Sequence, residues 1–231
     1  MRGARWLEFR RIIDAIIVVL ALPILLPLAV VAMAAVFIED RHSPIIRLER
    51  VGKNGVPILI AKIRSMRIGV GASITSSDDD RVTAVGRRLR SWRVDEIPQV
   101  LRVLDGSMAL IGPRPESPKF VDLSDERWEL ALSARPAIAG MTQVIAAPWE
   151  ASELGNEDPE GRYRKIALPA KLAIDNWYVQ NASPVVDLKV VWAVFLTLLS
   201  RADRTPVHDL VEAEIPAARV LISSEAGSSS T

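Results

Sequence analysis

Hydrophobic and polar positions divide the chain into unequal parts. Residues 12–38 are apolar apart from Asp14 and the polarity-neutral breakers Pro23 and Pro27. A helix needs about 20 apolar residues to cross a bilayer, so this run is long enough. It is too long for the core of a cleaved signal sequence, and Phe37-Ile38-Glu39 makes a poor cleavage site. Pro23 and Pro27 each remove a backbone donor and crowd the preceding turn, which predicts a bend. Arg2, Arg5, Arg10 and Arg11 precede the run; Arg41, Arg47, Arg50 and Lys53 follow it. Basic residues favour the cytoplasmic side. Positive charge on both flanks therefore suits a helix that enters the membrane and returns, while length alone suits one that spans it. Both readings stay open at this level.

The remainder changes pattern. Ile45-Ile46-Arg47-Leu48 and Ile58-Leu59-Ile60-Ala61 flank Gly52-Lys53-Asn54-Gly55, which predicts a β hairpin. Residues 69–80 are rich in Gly, Ser and Asp and read as a loop. Helical periodicity appears over 85–92 and 97–104. The segment 112–115, Gly-Pro-Arg-Pro, is rigid and non-helical. One amphipathic helix is expected over 118–134, opened by Ser117-Pro118, then a mixed loop region to 160 and a longer helix over 161–180. Pro184 opens the apolar stretch 185–199, interrupted by Asp187 and Lys189. It is expected to lie on the membrane or to pack in the core. Residues 222–231 are Ser-rich and expected to be disordered. No internal repeat is visible.

Composition sharpens this. The chain is 49% apolar and 25% charged, with mean hydropathy +0.20; concentration of apolar residues near the N-terminus reconciles these values. A net charge of +1 provides no global field to attract nucleic acid. The absence of cysteine removes disulfides, thiolate metal sites and a cysteine nucleophile. His42 and His208 stand apart, which argues against a histidine metal site.

Candidate chemistry is densest over residues 80–115. Arg81, Arg87, Arg88, Arg90, Arg93, Arg102 and Arg114 accompany Asp95 and Glu96. Arginines hold phosphate oxygens in bidentate geometry, carboxylates hold magnesium alongside water and phosphate, and a carboxylate can act as nucleophile. Ile97 to Leu101 reads as the first turns of a helix with Asp95 as its N-cap. An Asp-Glu pair also arises by composition, and a cap needs no catalytic role. Pro113 and Pro115 fix the pose of Arg114, which lowers the entropy lost on meeting a phosphate.

These residues and their order resemble the bacterial sugar transferase family of small monotopic phosphoglycosyl transferases. Arg11-Ile12-Ile13-Asp14 is similar to the start of its membrane segment. Arg47-Leu48-Glu49-Arg50-Val51-Gly52 resembles its hairpin motif, and Lys62-Ile63-Arg64-Ser65-Met66 its Lys-Phe-Arg-Ser-Met. Asp80-Arg81-Val82-Thr83, Gly86, Leu89 and Arg90 lead to Val94-Asp95-Glu96-Ile97-Pro98-Gln99, close to Leu-Asp-Glu-Leu-Pro-Gln. Asp105-Gly106-Ser107-Met108, Ile111-Gly112-Pro113-Arg114-Pro115-Glu116, Arg135-Pro136, Gly140, Gln143, Asp175, Tyr178 and Asp187-Leu188-Lys189 continue in order.

The resemblance implies an α+β, mainly helical protein. A re-entrant N-terminal membrane helix with breaks at Pro23 and Pro27 would occupy residues 1–40. A catalytic domain with a small hairpin and membrane-surface helices would occupy 41–204, and a partly disordered tail 205–231. It implies an enzyme monotopic in the bacterial cytoplasmic membrane, facing the cytoplasm. Asp95 would attack the β-phosphorus of a UDP-sugar and release UMP. Polyprenyl phosphate would then take the sugar phosphate from Asp95, the first membrane step of glycoconjugate synthesis. Glu96 would bind Mg2+. Arg90 and Arg114 would neutralise phosphate, assisted by Lys62 or Arg64. Arg81, Arg135, Gln143, Asp175 and Tyr178 are further candidates. Membrane lipid is an implied partner, nucleic acid is not, and homo-oligomerisation is left open.

Departures lie in two places. Leu26 stands where the family has a serine before its helix-breaking proline. Residues 137–147 lack the Gly, Thr and final Gly-Arg of the family pattern, which leaves nucleotide and sugar identity open. Two other functions use similar residues: a non-catalytic membrane module that binds nucleotide-sugar or lipid phosphate, and a membrane-bound phosphohydrolase. Retention of both Asp95 and Glu96 argues against the first.

Overall fold

The computed structural model describes residues 2–67, 80–153, 158–199 and 204–223. The glycine-rich loop expected over 69–80 lies outside the described residues except for Asp80.

The apolar run forms one helix, α1 (Arg2–Asp40), which continues through Pro23 and Pro27. Only 17% of its most apolar 18-residue window is buried, unlike a core helix. The buried stripe, Val18, Ala29, Ala32 and Val36, faces the rest of the protein, while Ile12, Leu20, Ile24, Val31 and Ile38 are exposed. Both ends are fastened to the same body. Near the start, Arg10 pairs with Asp187 at 2.6 Å and donates to the Tyr178 hydroxyl at 2.5 Å, and Trp6 Nε1 donates to Asp187 at 2.8 Å. At the far end, the Glu39 carboxylate accepts from the Ala84 amide at 3.0 Å, and Asp40 pairs with Arg64.

The hairpin consists of β1 (Ile45–Val51) and β2 (Pro57–Ile63), antiparallel with Arg50 opposite Ile58. Asn54 turns the chain at φ 57°, a conformation that asparagine tolerates better than most residues. Next come α2 (Ala84–Ser91), a 3-10 turn (Val94–Gln99) and α3 (Val100–Leu104). Two short strands, β3 (Ala109–Ile111) and β4 (Ala137–Ala139), pair in parallel. Between them lies α4 (Arg127–Ser133). The chain ends with α5 (Met141–Glu153), α6 (Pro159–Arg162), a π turn (Tyr163–Ala167), α7 (Leu168–Asn181), α8 (Pro184–Leu198), α9 (Pro206–Glu214) and α10 (Val220–Ser223).

Several expectations are corrected. The single helix over 118–134 is instead a 3-10 turn at Pro118–Phe120 and α4. Between them the Asp122 carboxylate accepts from the Ser124 amide and Asp125 from the Arg127 amide, local bonds that compete with helix. The mixed loop over 135–160 contains β4 and α5. Residues Met141 to Ala146 are all buried, so α5 shows no amphipathic period to read. α8 packs in the core along one face, where Val190 and Ala193 are buried, and leaves Val185, Leu188, Trp192 and Phe195 exposed on another.

The tail also differs from expectation. Residues 205–223 fold, and Val207, Val211, Ala218 and Leu221 are at most 1% exposed. They join the main core with Met141, Ile145 and Trp149 of α5 and Val190 of α8. His208 closes the start of α9, its Nδ1 accepting from the Thr205 amide at 3.2 Å. A break at 204 therefore separates no independent tail, and residues 224–231 lie outside the described residues. Leu221→Ala should destabilise the protein by about 2–5 kcal/mol, as for other fully buried leucines; denaturant unfolding in detergent checks this, and an unchanged midpoint would show that this segment does not pack on the core.

Candidate active site

Three segments meet around one carboxylate. β2 carries Lys62. A sharp turn at Arg93, φ 54°, starts the 3-10 helix that holds Asp95 and Glu96. The third segment follows β3: Gly112 adopts φ 149°, and the Pro113 carbonyl accepts from the Ala137 amide at 2.7 Å, which fastens the loop beside Arg114. Glu96 Oε1 accepts from Lys62 Nζ at 2.7 Å and from Arg114 Nη2 at 3.0 Å. Arg93 lies 3.8 Å from Oε2. Asp95 is therefore not an N-cap; it lies inside the first turn of a 3-10 helix that precedes α3.

Asp95 and Glu96 are 6% and 5% exposed, and their environments pull them apart. Burial works to raise the Glu96 pKa, but Arg114, Lys62 and Arg93 outweigh it and hold the group below the ordinary carboxylate value. Burial raises the Asp95 pKa, and the Glu96 charge adds to this against Lys62, Arg90 and Arg114. Burial lowers the Lys62 pKa, opposed by Glu96. Such splitting of adjacent carboxylates is a mark of functional sites. Glu96 stays an anion that organises cations, while Asp95 is the more basic of the two carboxylates.

Arg90 joins this centre through α2. Gly86 lies against the Ser65 carbonyl, where a Cβ would overlap backbone, and the Thr83 hydroxyl caps the Gly86 amide at 2.9 Å. This seats α2 beside β2, with the Arg90 charge acting on Asp95. Arg64 instead pairs with Asp40, 3.0 Å away. Arg81 supplies a carbonyl that accepts from the Arg67 amide at 2.8 Å. Arg135 donates to the carbonyls of Met108 and Leu7, at 3.0 and 3.4 Å, and so joins α1 to β3. Tyr178 lies in the Arg10–Asp187 clamp, donating to Asp187 at 2.5 Å. The Gln143 side-chain oxygen accepts from the Gly140 amide at 3.2 Å. The strongest cationic influences on Asp95 and Glu96 come instead from Lys62, Arg90, Arg93 and Arg114.

A second polar network adjoins Arg114 and was not singled out from the sequence. Tyr163 donates to Glu116; Lys171 donates to the Tyr163 hydroxyl at 2.7 Å and to Glu150 at 2.9 Å. Glu116 and Glu150 both act on Arg114. Glu116 directly follows the Gly-Pro-Arg-Pro segment, which was the available signal; Tyr163 and Lys171 had none. Asp175, with Arg114 and Glu116, lines a small cavity in this region.

Among the described residues, no three histidine or acidic side chains group as a metal site. Adjacent carboxylates can still share Mg2+ with water and phosphate oxygens. Glu96 Oε2 is buried without a hydrogen-bond partner, with Arg93 3.8 Å away, and is the oxygen here that such an ion would use.

Burial pushes Asp175 up to about 7, with the Thr142 hydroxyl and Lys171 opposing. The folded state thus holds this proton where the unfolded chain has lost it. Stability contributed by the neutral form is complete below the ordinary carboxylate pKa and is lost as pH rises through about 7, at up to about 1.4 kcal/mol per pH unit. Asp175→Asn should therefore raise the unfolding temperature relative to wild type at pH 8 and leave it nearly equal at pH 4. Equal differences at both pH values would contradict this assignment.

The family model described as bacterial sugar transferase matches residues 5–201. A UDP-glucose:undecaprenyl-phosphate glucose-1-phosphate transferase of Caulobacter vibrioides is 32% identical over 199 residues, covering 83% of this chain and 70% of the relative. A UDP-N-acetylgalactosamine-undecaprenyl-phosphate N-acetylgalactosaminephosphotransferase of Aeromonas hydrophila is also 32% identical, covering 83% of this chain but 44% of that longer protein. The exopolysaccharide production protein ExoY of Sinorhizobium fredii is 30% identical over 79% of this chain and 82% of its own length. A match over most of the chain, with relatives of this length and identity, makes the protein a member of the bacterial sugar transferase family.

Proposed function

We propose that this protein transfers a sugar 1-phosphate from a UDP-sugar to polyprenyl phosphate at a membrane surface. The observation that carries the reading is the Asp95-Glu96 pair, buried together, with Glu96 clamped by Lys62 and Arg114 and Asp95 left as the more basic carboxylate. The relatives' substrates, undecaprenyl phosphate and UDP-sugars, fit the same residues. Assembly of an exopolysaccharide or a related glycoconjugate is the setting that ExoY suggests.

The proposed chemistry has two displacements. An Asp95 oxygen attacks the β-phosphorus, the bond from that phosphorus to the bridging oxygen breaks, and UMP leaves with the electron pair. A polyprenyl phosphate oxygen then attacks the aspartyl sugar phosphate, and the Asp95 carboxylate leaves. Arg114, Lys62 and Arg90 stabilise charge on the phosphoryl oxygens, the dominant contribution in this class of reaction. Mg2+ held by Glu96 and Asp95 would supply further neutralisation of the diphosphate.

Placement at the membrane follows from α1. The helix is long and apolar enough to cross a bilayer, yet its first turns are tied to Asp187 and its last residues to Arg64 and α2. Attachment of both ends to one domain supports a re-entrant path over a spanning one, with the basic flanks and the catalytic domain on the cytoplasmic side. α8 also exposes Val185, Leu188, Trp192 and Phe195, a second apolar face suited to a bilayer surface.

The account predicts about one equivalent of UMP per enzyme from the correct UDP-sugar without acceptor, and continuous release once polyprenyl phosphate is added. Asp95→Asn should abolish both phases. Rapid continuous release from wild type without acceptor would identify a hydrolase instead, and no release with any UDP-sugar would leave a binding module.

A further inference from the structure

Arg64 is used differently from the other candidate cations. Lys62, two residues earlier and within β2, donates to Glu96. Arg64 turns instead to Asp40, the last residue of α1, with Nη2 3.0 Å from Oδ2. The arginine is 5% exposed. Even so, Arg64 Nε and Nη2 and Asp40 Oδ2 all lack an aligned hydrogen bond. Buried charged donors are costly when their bonds are unmet, so this pair is close in charge and poor in geometry. It leaves two guanidinium donors for a better-placed oxyanion.

Asp40 is also displaceable. A carboxylate at a helix C-terminus faces the negative end of the helix dipole, and α1 has no basic residue in its last turn to offset it. The chain leaves the helix directly afterwards through Arg41 at φ 54°. Arg64 thus faces one oxygen of the Asp40 carboxylate, while His42 Nδ1 lies 3.7 Å from the other.

The location suits a lipid. On α1, exposed Val30, Val31, Phe37 and Ile38 lead towards this end of the helix. On the inner side, Ala32 and Val36 pack with Ile63, the residue between Lys62 and Arg64, and the same cluster includes Val94 and Ile97, which flank Asp95-Glu96. An apolar chain lying along α1 would therefore carry a terminal phosphate to Arg64, beside the element that bears Asp95.

We infer that Arg64 receives the phosphate monoester of the polyprenyl acceptor, and that Asp40 occupies this place until the acceptor displaces it. The inference rests on the transferase reading above but concerns binding alone. It separates the cations by substrate: Lys62 and Arg114 serve the donor side, Arg64 the acceptor.

The test uses the full chain in detergent micelles. Equilibrium binding of a polyprenyl phosphate is measured without donor, and acceptor and donor KM are measured in turnover, for wild type, Arg64→Gln and Asp40→Asn. Arg64→Gln should weaken acceptor binding tenfold or more and shift acceptor KM at least fivefold more than donor KM. Asp40→Asn should tighten acceptor binding two- to fivefold, because the competing carboxylate is gone. An ordinary structural ion pair predicts the reverse for Asp40→Asn, with both variants weakened alike, and that result overturns the proposal. So does an unchanged acceptor affinity in Arg64→Gln accompanied by weaker association with phosphatidylglycerol vesicles, which would assign the arginine to bulk lipid headgroups. If Arg64→Gln does not fold, the direction of the Asp40→Asn change decides. If wild type shows no UMP release, the transferase reading fails, and the direct binding comparison still judges this one.

Discussion

One carboxylate oxygen holds the site together. Glu96 Oε1 accepts from both Lys62 and Arg114, and so joins the end of a hairpin, a 3-10 turn and a proline-clamped loop that are far apart in the chain. Glu96 is nearly buried, so loss of its charge would leave two cations together in a poorly solvated place. Breaking a buried ion pair from one side is far more costly than the pair is stabilising, because the stranded charge remains. The neighbouring Asp95 gains its character from this arrangement: the cations keep it accessible as an anion, while burial and the Glu96 charge keep it basic.

The long apolar helix α1 is part of the same arrangement. Val18 packs with Ile60 of the hairpin and Val100 of α3, and Ala29, Ala32 and Val36 pack with Ile63 and Leu89. The elements carrying Lys62, Arg90 and Asp95 therefore rest directly on α1. Glu39 reaches across to the start of α2. The proposed reaction joins a soluble donor to a lipid acceptor and would need its reactive group at a fixed depth, which contact between α1 and these elements would set.

Legibility in the sequence followed the strength of local signals. The apolar run, the hairpin and the Asp95-Glu96 and Arg114 motifs were legible because length, a turn signal and ordered motifs each mark them. α5 was missed because burial all round its first turns erases periodicity. The expected helix over 118–134 failed because Asp122 and Asp125 bind local amides. The C-terminal segment looked like a tail, although Val207 and Val211 stand one helical turn apart on a buried face. Motif residues also proved divisible. Arg135 and Tyr178 stand in the family pattern, yet they hold α1 to the domain. Side-chain type and order do not reveal which arginine meets a carbonyl and which meets a carboxylate.

The central claim is that Asp95 carries the sugar phosphate covalently. It is tested most directly with a UDP-sugar labelled at the β-phosphorus, quenched without acceptor, digested and mapped. The account predicts label on the peptide containing Asp95, released by hydroxylamine as an acyl phosphate would be, and chased into lipid when polyprenyl phosphate is added before the quench. Label that never becomes attached to protein, with UMP released only when donor and acceptor are both present, would contradict it and show a single direct displacement.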